Sequence, residues 1–390
     1  MKKLDLIIDF NNMFMRSLHT CQYLNTGVTI SNFDTDVECN ALVQKIMIDL
    51  SYLVRLFSPD RTIIVCDSKK PWRQEIYKEI PGEKYKGTRE KDKNKNWDKI
   101  FATYSEVEGI LDARNFIVTK IDSLEADDLA TLWKGKLSDY GDDIIMVSTD
   151  KDWHQLIDFN TKSHQFCICY NPVANNLGRK KLYMKQSMLD WLMGEDTVDI
   201  FFSNYSAIKK KINELNKVDS KMTFECIDPD KVLLEKIMCG DDGDNIPAFY
   251  DYFRNGKKVR ITPLKCTHIL ESLDVHNVNQ LVSVTNDDKL KEAVEKEMKK
   301  EVDLDFVKRL DRQRRLVELV STFFPENAVQ KFEKHVNDTS NKGEIPNNIK
   351  MDTLLEGTKF IDMEVVKSKA RESSIFDDIK TLSKFSRPLF

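Results

Sequence analysis

Short apolar runs that end beside an aspartate recur in the first 150 residues of the chain. The runs are Leu4 to Ile8 before Asp9, Thr62 to Cys66 before Asp67, and Ile144 to Ser148 before Asp150. Near-continuous apolar runs of this length are typical of strands that are buried on both faces of a parallel sheet. We therefore predict three parallel strands, each with a carboxylate just past its carboxyl end.

Longer segments with helical periodicity separate these strands. They cover residues 36–56, about 96–112 and 123–140, and Ser123 stands in the N-cap position of the last one. Strands that alternate with helices predict an α/β fold, in which a central and mostly parallel sheet has helices on both faces. In such open sheets the ligand site lies beyond the carboxyl ends of the strands, where the three aspartates fall.

The pattern changes after residue 152. Gln165 to Asn171 and Lys181 to Met184 predict a β-hairpin, and a lysine-rich helical stretch covers residues 188–221. Residues 229–273 predict a compact helical segment around the turn DDGDNIP, and further helices follow it. The predicted units are a core of residues 1–178, an insertion of residues 179–225, a helical region of residues 226–336, a linker of residues 337–348 and a tail of residues 349–390.

The total charge does not indicate a nucleic-acid partner, but the distribution of charge does. The chain has 390 residues, and its 60 Lys and Arg against 64 Asp and Glu give a net charge of -4. Residues 69–99 nevertheless hold eleven basic and six acidic side chains, and residues 253–265 hold five basic side chains and no acid. We expect two such basic patches on an acidic protein to mark surfaces that bind phosphates.

The eight cysteines are scattered and form no pair of CxxC motifs, which argues against a zinc site. Cys167 and Cys169 fall on one face of a predicted strand, where we expect them to be buried. Free thiols indicate a reducing compartment, and no stretch has the length and apolar character of a signal peptide or a membrane span. We therefore expect a cytoplasmic protein.

Further carboxylates lie near the three predicted strand ends. In SLEADD, Glu125 and Asp128 share one helix face and Asp127 lies at the same turn, and Asp152 follows Asp150 by two residues. Carboxylates buried at a sheet edge need a compensating cation, and oxygen ligands without nearby His or Cys favour Mg²⁺ or Mn²⁺. Two such ions about 4 Å apart would activate a water and neutralise a leaving oxygen. The cluster therefore predicts phosphodiester hydrolysis.

Six short strings occur in the order, and at roughly the spacing, of a known protein family. They are IIDFNN, VCDSKKPWR, YKGTRE, SLEADD, VSTDKDWHQL and GDDGDNIP. With these strings the chain resembles the flap endonuclease and 5′-3′ exonuclease family, which has a PIN-like core. The resemblance is greatest to the phage branch that includes the T-even ribonuclease H type. It covers about residues 4–273, with an interruption at residues 180–224, and does not reach the tail.

The resemblance implies two clusters of metal ligands, which act directly or through water. The first cluster would consist of Asp9, Asp67, Glu125, Asp127 and Asp150. The second, more weakly bound cluster would consist of Asp128, Asp152, Asp241 and Asp244. Nine carboxylates exceed the charge that two Mg²⁺ ions can neutralise, so some of them would hold waters instead of metal.

The first basic patch would supply cations for catalysis. The resemblance places it, at about residues 69–112, in a helical arch over the active site, where Lys86 and Arg89 would meet the scissile phosphate from one helix face. A solvated helix end is the alternative for this pair. Arg73 would be a further phosphate contact, and Tyr85 would either stack on a base at the cleavage junction or pack internally. The implied catalytic residues are Lys86, Arg89, Asp9, Asp67, Asp127 and Asp150.

The second basic patch follows the DDGDNIP turn. The family has a helix, three-turn, helix element here, which would grip duplex backbone, and it often binds a potassium ion through carbonyls of the turn, here residues 240–247. The sequence RITPLK replaces the usual glycine-rich second hairpin. Whether a potassium ion binds is therefore left open, while the contact with duplex is expected. The implied phosphate contacts are Arg254, Lys257, Lys258, Arg260 and Lys265.

The implied function is that of a Mg²⁺-dependent 5′ nuclease with exonuclease, flap endonuclease or ribonuclease H activity. Such an enzyme would remove primers or flaps in phage DNA replication, act in the host cytoplasm as a monomer, and bind branched or 5′-ended DNA and RNA/DNA duplexes. The apolar tail would pack on its own domain or dock on a single-strand-binding protein or a sliding clamp. The alternatives are a PIN-type endoribonuclease and a catalytically silent nucleic-acid binder.

Overall fold

A mixed, mostly parallel sheet runs through the chain. The computed structural model describes residues 3–21, 31–57, 59–80, 85–87, 91–174, 178, 180–193, 222–302, 305–340 and 342. Within them the sheet has the order β3-β2-β1-β4-β6-β7-β8, and β5 pairs with the beginning of β6. The strands are β1 (Leu4–Asp9), β2 (Arg61–Val65), β3 (Ile117–Thr119), β4 (Asp143–Val147), β5 (Asp158–Asn160), β6 (Gln165–Asn171), β7 (Lys180–Met184) and β8 (Met222–Cys226).

The strands β3, β2, β1, β4 and β6 are parallel to one another, whereas β5 and β7 run antiparallel to β6. Helices precede and follow the strands throughout. They are α1 (Phe10–Thr20), α2 (Asp36–Phe57), α3 (Arg73–Tyr77), α4 (Trp97–Ala113), α5 (Ala126–Tyr140), α6 (Gln186–Met193), α7 (Pro229–Cys239), α8 (Pro263–Ser272), α9 (Val278–Asn286), α10 (Lys289–Met298), α11 (Phe306–Val317) and α12 (Glu326–Asp338).

Both faces of the sheet are covered, because successive residues of each strand point to opposite sides. Leu6 and Ile8 pack in one apolar cluster with α1, α2, α4 and α6. Ile7 and Ile63 pack in a second cluster with α3, α5 and α7 to α12. The predicted fold class, an α/β sheet between helices, is therefore confirmed. The helices after residue 228 share a core with one sheet face, which fixes the DDGDNIP turn relative to the strand ends.

The predicted elements nearest the strand ends are confirmed with one shift. Helix α5 begins at Ala126 and not near Ser123, since Glu125 is its N-cap and forms a capping box with Asp128. Ser123 has φ +74°, in the left-handed region, so it stands before the helix and not in its first turn. The predicted hairpin is present as β6 and β7. Residues 180–193 and 222–226 of the predicted insertion form β7, α6 and β8, and the two strands extend the sheet.

The predicted compact helical segment of residues 229–273 has its helices, α7 and α8, but the prediction missed a pair of strands between them. Between α7 and α8 the chain forms an antiparallel ribbon of β9 (Asp251–Arg254) and β10 (Lys257–Arg260). Asn255 and Gly256 connect the two strands with φ of +52° and +73°. Positive φ at both central residues is the geometry of a two-residue hairpin turn, for which Asn-Gly is the favoured sequence. The signal was present in the sequence, but only the structure shows the ribbon.

Gly240, at the C-cap of α7, starts the DDGDNIP turn in a conformation that only glycine adopts readily, with φ +75° and ψ -168°. A Cβ atom there would lie 2.4 Å from the backbone oxygen of Ile246. We expect Gly240→Ala to lower the free energy of unfolding by at least about 2 kcal/mol, measured by chemical denaturation. Gly135→Ala in α5, where a Cβ meets nothing within 4 Å, is the control and should be neutral or stabilising. An equal loss in both variants would contradict this view of the turn.

All eight cysteines are free thiols, and Cys167 and Cys169 are buried in β6 as expected. No helix in the described part of the chain combines the length and apolar character that crossing a membrane requires. Residues 337 and 338 of the predicted linker are the last residues of α12, so the helix runs two residues further than predicted. Residues 341 and 343–348 of the linker, the predicted tail of residues 349–390, and residues 194–221 of the insertion lie outside the described residues.

Candidate active site

Four aspartates meet in one cleft at the carboxyl edge of the sheet. Asp9 ends β1, Asp67 follows β2, Asp150 follows β4, and Asp127 lies in the first turn of α5. Together with Lys86 they line a cleft of about 410 Å³. The parallel direction of the strands brings these residues together, as the apolar runs predicted, although they are far apart in sequence.

Polar neighbours fix the carboxylates of Asp9 and Asp67. Asp9 is the N-cap of α1 and accepts hydrogen bonds from the backbone N–H of Asn12, at 3.0 Å, and from the Ser148 hydroxyl, at 2.8 Å. Asp67 accepts one from the backbone N–H of Ala126, at 2.7 Å. Each carboxylate is therefore held at a helix start, where the backbone N–H groups favour negative charge.

Asp127 and Asp150 lie on the other side of the cleft. The indole Nε1–H of Trp153 donates to Asp127 over 2.6 Å, and the backbone N–H of Asp152 donates to Asp150 over 3.0 Å. Burial, and after it the charges of Asp150 and Asp9, raises the pKa of Asp127 well above its ordinary value. Burial also raises the pKa of Asp9 to about 7. These carboxylates repel one another, and Asp9 is buried, so the cleft attracts a cation.

Lys86 approaches the cleft from a turn. Its Nζ lies 2.6 Å from Glu125 Oε1 and 3.7 Å from Asp244 Oδ2, and its backbone N–H donates to the carbonyl of Asp244. Burial alone would lower the pKa of this amine, but the charges of Glu125 and Asp244 raise it above the ordinary value. Lys86 has φ +54°, so it does not lie on the helix face that was predicted for it and Arg89. Arg89 itself is outside the described residues.

Tyr85 is placed by the same contacts, because its hydroxyl donates to Glu125 over 2.8 Å and its ring lies 5.6 Å from that of Tyr77. This is the internal packing that we weighed against base stacking. The pKa of Glu125 shows the balance of charge here. Burial alone would raise it, but Lys86 and Arg73 lower it below its ordinary value.

Arg73 and Asp128 are buried behind the cleft. Arg73 is 3% exposed, and its Nη1 lies 2.8 Å from Asp128 Oδ1 and 3.1 Å from Glu125 Oε2. Asp128 has no exposed surface and accepts hydrogen bonds from the Trp72 indole and the backbone of Glu125, both at 3.0 Å. The structure thus brings neither residue to the cleft. Arg73 forms ion pairs with buried carboxylates and not with the phosphate that was expected. Asp128 forms an ion pair with Arg73 and not with the metal that was expected.

Asp152 and Asp241, both predicted for the second metal cluster, lie on either side of Lys236. The amine of Lys236, in α7, forms ion pairs with Asp152 and, at 2.6 Å, with Asp241. Asp241 also accepts a hydrogen bond from the backbone N–H of Gly243. The structure therefore brings Asp152 and Asp241 together beside the cleft, around a lysine that the sequence did not single out.

The oxygen donors of the cleft fit hard divalent cations better than softer metals, because no cysteine and no histidine other than His19 lines it within the described residues. The described chain contains no group of three or more acidic, His or Cys side chains that already stands in a metal-binding arrangement. The cleft aspartates instead accept hydrogen bonds from protein donors, and Lys86 forms ion pairs with Glu125 and Asp244, so a metal ion would exchange with these bonds.

The implied potassium site does not fit the 240–247 turn. Protein groups already donate to three consecutive carbonyls of the turn and to that of Ala248 just after it, where the donor is the guanidinium of Arg309. A cation would meet a like charge there and would have to replace these donors. The pairs are Tyr77 to Asn245, the backbone N–H of Asp241 to Ile246, Gln313 to Pro247, and Arg309 to Ala248.

The basic residues after the turn lie mostly on the β9–β10 ribbon. Arg254, Lys257, Lys258 and Arg260 are exposed, and Lys265, in the first turn of α8, is half-buried. Arg260 forms two hydrogen bonds with Asp242, of 2.6 and 2.9 Å, and Lys258 lies 3.3 Å from Asp251. Exposed ion pairs of this kind contribute little to stability, so these side chains can exchange partners easily.

Several residues of the site were missed by the sequence analysis. Asn11 contacts Asp67 and is held by the hydroxyl of Tyr104, and Trp153 binds Asp127. Arg16 and His19 line the cleft along α1. Asn11 and Trp153 belong to the strings IIDFNN and VSTDKDWHQL, so their position beside acids that were predicted to bind metal was an available signal. For Arg16 and His19, only the direction of α1 places them at the cleft.

Comparison with known proteins relates the core to one family. Residues 5–187 match the family described as 5'-3' exonuclease, N-terminal resolvase-like domain. This segment contains the sheet from β1 to β7 and the four aspartates of the cleft. No curated protein sequence matches the chain at a significant level.

Solved structures from phage T5 share the fold over most of the chain. The T5 D15 protein co-crystallised with metal ions has a TM-score of 0.51 and 19% identity, over 87% of this chain and 100% of that one. The T5 D15 flap endonuclease in a pseudo-enzyme–product complex with DNA and metal ions has a TM-score of 0.51 and 18% identity, over the same shares. T5 5′-exonuclease with bound zinc has a TM-score of 0.50 and 18% identity, over 88% and 100%.

Proposed function

We propose that this chain is a divalent-metal-dependent 5′ nuclease. Its substrates are the 5′ ends and flaps of DNA/DNA and RNA/DNA duplexes, which it cuts with 5′-3′ exonuclease, flap endonuclease or ribonuclease H activity. The observation that carries the proposal is the cleft, in which Asp9, Asp67 and Asp150 from three strand ends and Asp127 from the start of α5 lie beside Lys86. The family match of residues 5–187 and the likeness to a phage flap endonuclease support it. Primer or flap removal in phage DNA replication is the role that we propose.

The proposed cofactor is a pair of Mg²⁺ ions, for which Mn²⁺ can substitute. Asp9, Asp67, Asp127 and Asp150 would hold the first ion, and Glu125 would take part through water. Asp152, Asp241 and Asp244 would hold the second, more weakly. Bound there, the ions supply an activated water and neutralise charge on the phosphate and the leaving oxygen.

The protein groups around the cleft position the reacting parts. Ser148 and Trp153 hold Asp9 and Asp127 by hydrogen bonds, which keeps their remaining oxygen lone pairs directed into the cleft. Lys86 neutralises Glu125 in the absence of substrate, and on substrate binding it would turn to the scissile phosphate. The backbone N–H of Lys86 donates to the carbonyl of Asp244, which joins the turn at Lys86 to the DDGDNIP turn.

Metal binding should stabilise the protein, and more so at alkaline pH. Without metal, burial raises the pKa of Asp9 to about 7, so below that pH a proton occupies a carboxylate that the ion needs. We expect millimolar Mg²⁺ to raise the melting temperature relative to chelator, and to raise it more at about pH 8 than at about pH 6. Scanning calorimetry at both pH values measures this. No shift at either pH would mean that the acids do not bind metal.

The basic ribbon should contribute to the salt dependence of duplex binding. Replacing Lys257, Lys258 and Arg260 together by Ala removes about three phosphate contacts, which should reduce the slope of log Kd against log salt by roughly 2 to 3 units. Fluorescence anisotropy with a labelled duplex over a salt series measures the slope. Lys162→Ala, at an exposed site in the β5–β6 loop on the opposite sheet edge, is the control and should leave it unchanged. An unchanged slope in the triple variant would place the duplex elsewhere.

A cleavage panel separates the proposal from its alternatives. The substrates are a 5′-labelled flap on a DNA duplex, an RNA/DNA duplex with a 5′ end, and single-stranded RNA of the same length, each with Mg²⁺ from zero to millimolar. The proposal predicts Mg²⁺-dependent cutting near the 5′ end or junction of the duplexes. Preference for single-stranded RNA would indicate a PIN-type endoribonuclease, and no cleavage at any metal concentration would indicate a silent nucleic-acid binder.

A further inference from the structure

The two most exposed large apolar side chains among the described residues lie in the same basic segment. Phe253, in β9, is 71% exposed, and Leu264, in the first turn of α8, is 67% exposed. An isolated exposed apolar side chain needs no explanation. Here, however, the segment of residues 253–265 that contains both also holds five basic side chains and no acid. Aromatic exposure within a cationic segment calls for a partner that offers both charge and apolar surface.

The ribbon is anchored by one face and leaves the other open. Tyr252 and Val259 are paired across the ribbon and pack against the apolar core. The Tyr252 hydroxyl donates to the carbonyl of Met298 over 3.3 Å, and the amine of Lys300 lies 4.4 Å from its ring centre. Because side chains alternate along a strand, Phe253 points to the side away from this anchor. Phe253 is therefore exposed at a fixed position in a strand and not in a loosely held loop.

Exposed cationic side chains lie beside Phe253 on the ribbon. Lys258 is directly opposite it across the two strands and shares its face, and the next pair towards the turn, Arg254 with Lys257, points to the other face at the exposed tip of the ribbon. A two-stranded ribbon of this width fits a groove of a nucleic-acid duplex. Phosphates on the two sides of a groove would meet these cations, while sugars and base edges inside it provide an apolar surface. A duplex therefore offers both kinds of contact.

We propose that Phe253 is an apolar contact with the groove of a bound duplex, with phosphate contacts from Lys258 on the same face and from Arg254 and Lys257 at the tip of the ribbon. The inference rests on the proposed function and adds to it a positioning residue that is not charged. In this arrangement the cations supply the salt-dependent part of the affinity, and Phe253 supplies a part that does not depend on salt. The neighbouring turn does not fit a potassium ion, so in this arrangement the side chains of the ribbon hold the duplex without one.

The test compares Phe253→Ala with wild type in duplex binding over a salt series. We expect Phe253→Ala to weaken binding of a DNA duplex with a 5′ flap about tenfold, because it removes most of the aromatic surface that the duplex would bury. The slope of log Kd against log salt should stay as in wild type, since no phosphate contact is lost. Phe253→Trp should restore the affinity. Binding of a single strand of the same length should not change.

The control is Tyr140→Ala, which removes another exposed aromatic, 55% exposed, from the end of α5 at the opposite sheet edge. It should bind the duplex as wild type does. If Phe253→Ala also binds as wild type does while wild type cuts flaps, the inference is overturned and the proposed function stands. An equal loss for duplex and single strand, or a changed salt slope, also contradicts groove contact. A wild-type protein that neither binds nor cuts duplexes contradicts both proposals.

Discussion

Asp150→Asn is expected to reduce the rate of cleavage about a thousandfold or more while leaving substrate binding nearly unchanged. Asp150 lies in the cleft with Asp9, Asp67 and Asp127, and the amide keeps its shape but loses the negative charge that a divalent ion needs. Since metal catalysis supplies several kcal/mol of transition-state stabilisation, losing one ligand should affect the chemical step. Single-turnover cleavage of a 5′-labelled flap at saturating Mg²⁺ measures the rate, and anisotropy measures the binding.

The matched control for this variant is Asp139→Asn, an exposed carboxylate in the last turn of α5. It lies at the amino-terminal edge of the sheet, far from the strand ends that carry the cleft, so its rate should equal that of wild type. A single-turnover rate of Asp150→Asn within about tenfold of wild type would remove Asp150 from the metal site. Equal losses in both variants would indicate a general effect of charge and not a ligand.

Lys86→Ala is expected to slow the chemical step by about a hundredfold to a thousandfold. Its amine is the cation that lies among the carboxylates of the cleft, 2.6 Å from Glu125, and we propose that it moves to the scissile phosphate. The variant should keep its affinity for metal, because it loses a competing cation and no ligand. Single-turnover rates, with metal affinity from calorimetry, separate these effects.

Lys78→Ala is the control for Lys86→Ala, since Lys78 is 69% exposed and forms an ion pair with Glu75. Its rate should match wild type. If Lys86→Ala loses only substrate affinity and keeps its single-turnover rate, Lys86 is a positioning contact and does not act on the reacting phosphate. Loss of metal affinity would instead show that Lys86 supports the carboxylates.

The sequence predicted the sheet edge that carries the site because two simple physical signals coincide there. Apolar runs marked the strands that became β1, β2 and β4, and the polar residue after each run had to lie at the carboxyl edge. The strands β3 and β5, of three residues each, carry too short a pattern to be recognised. The sequence analysis missed the ribbon although Asn255-Gly256 is a favoured turn sequence, because the flanking segments are too polar to be recognised as strands.

The roles of individual acids and cations were harder to predict, because helical spacing does not say which side chains have internal partners. Asp128 shares a helix face with Glu125, but it faces Arg73 and Trp72 and not the cleft. Arg73 is fixed in part by the carbonyl of Leu316, a residue 243 positions away. Such long-range pairs arise from the packing of α11 against the core, and short motifs contain no information about them.

The most direct test of the central claim, that the carboxylate cleft binds the catalytic metal, is an anomalous-difference map from crystals grown with Mn²⁺. The account predicts a strong peak within ligating distance of Asp9, Asp67, Asp127 and Asp150, and a weaker one near Asp152, Asp241 and Asp244. It also predicts that the strong peak disappears in Asp150→Asn. Mn²⁺ bound only elsewhere on the protein, in crystals of an enzyme that Mn²⁺ activates, would contradict the account.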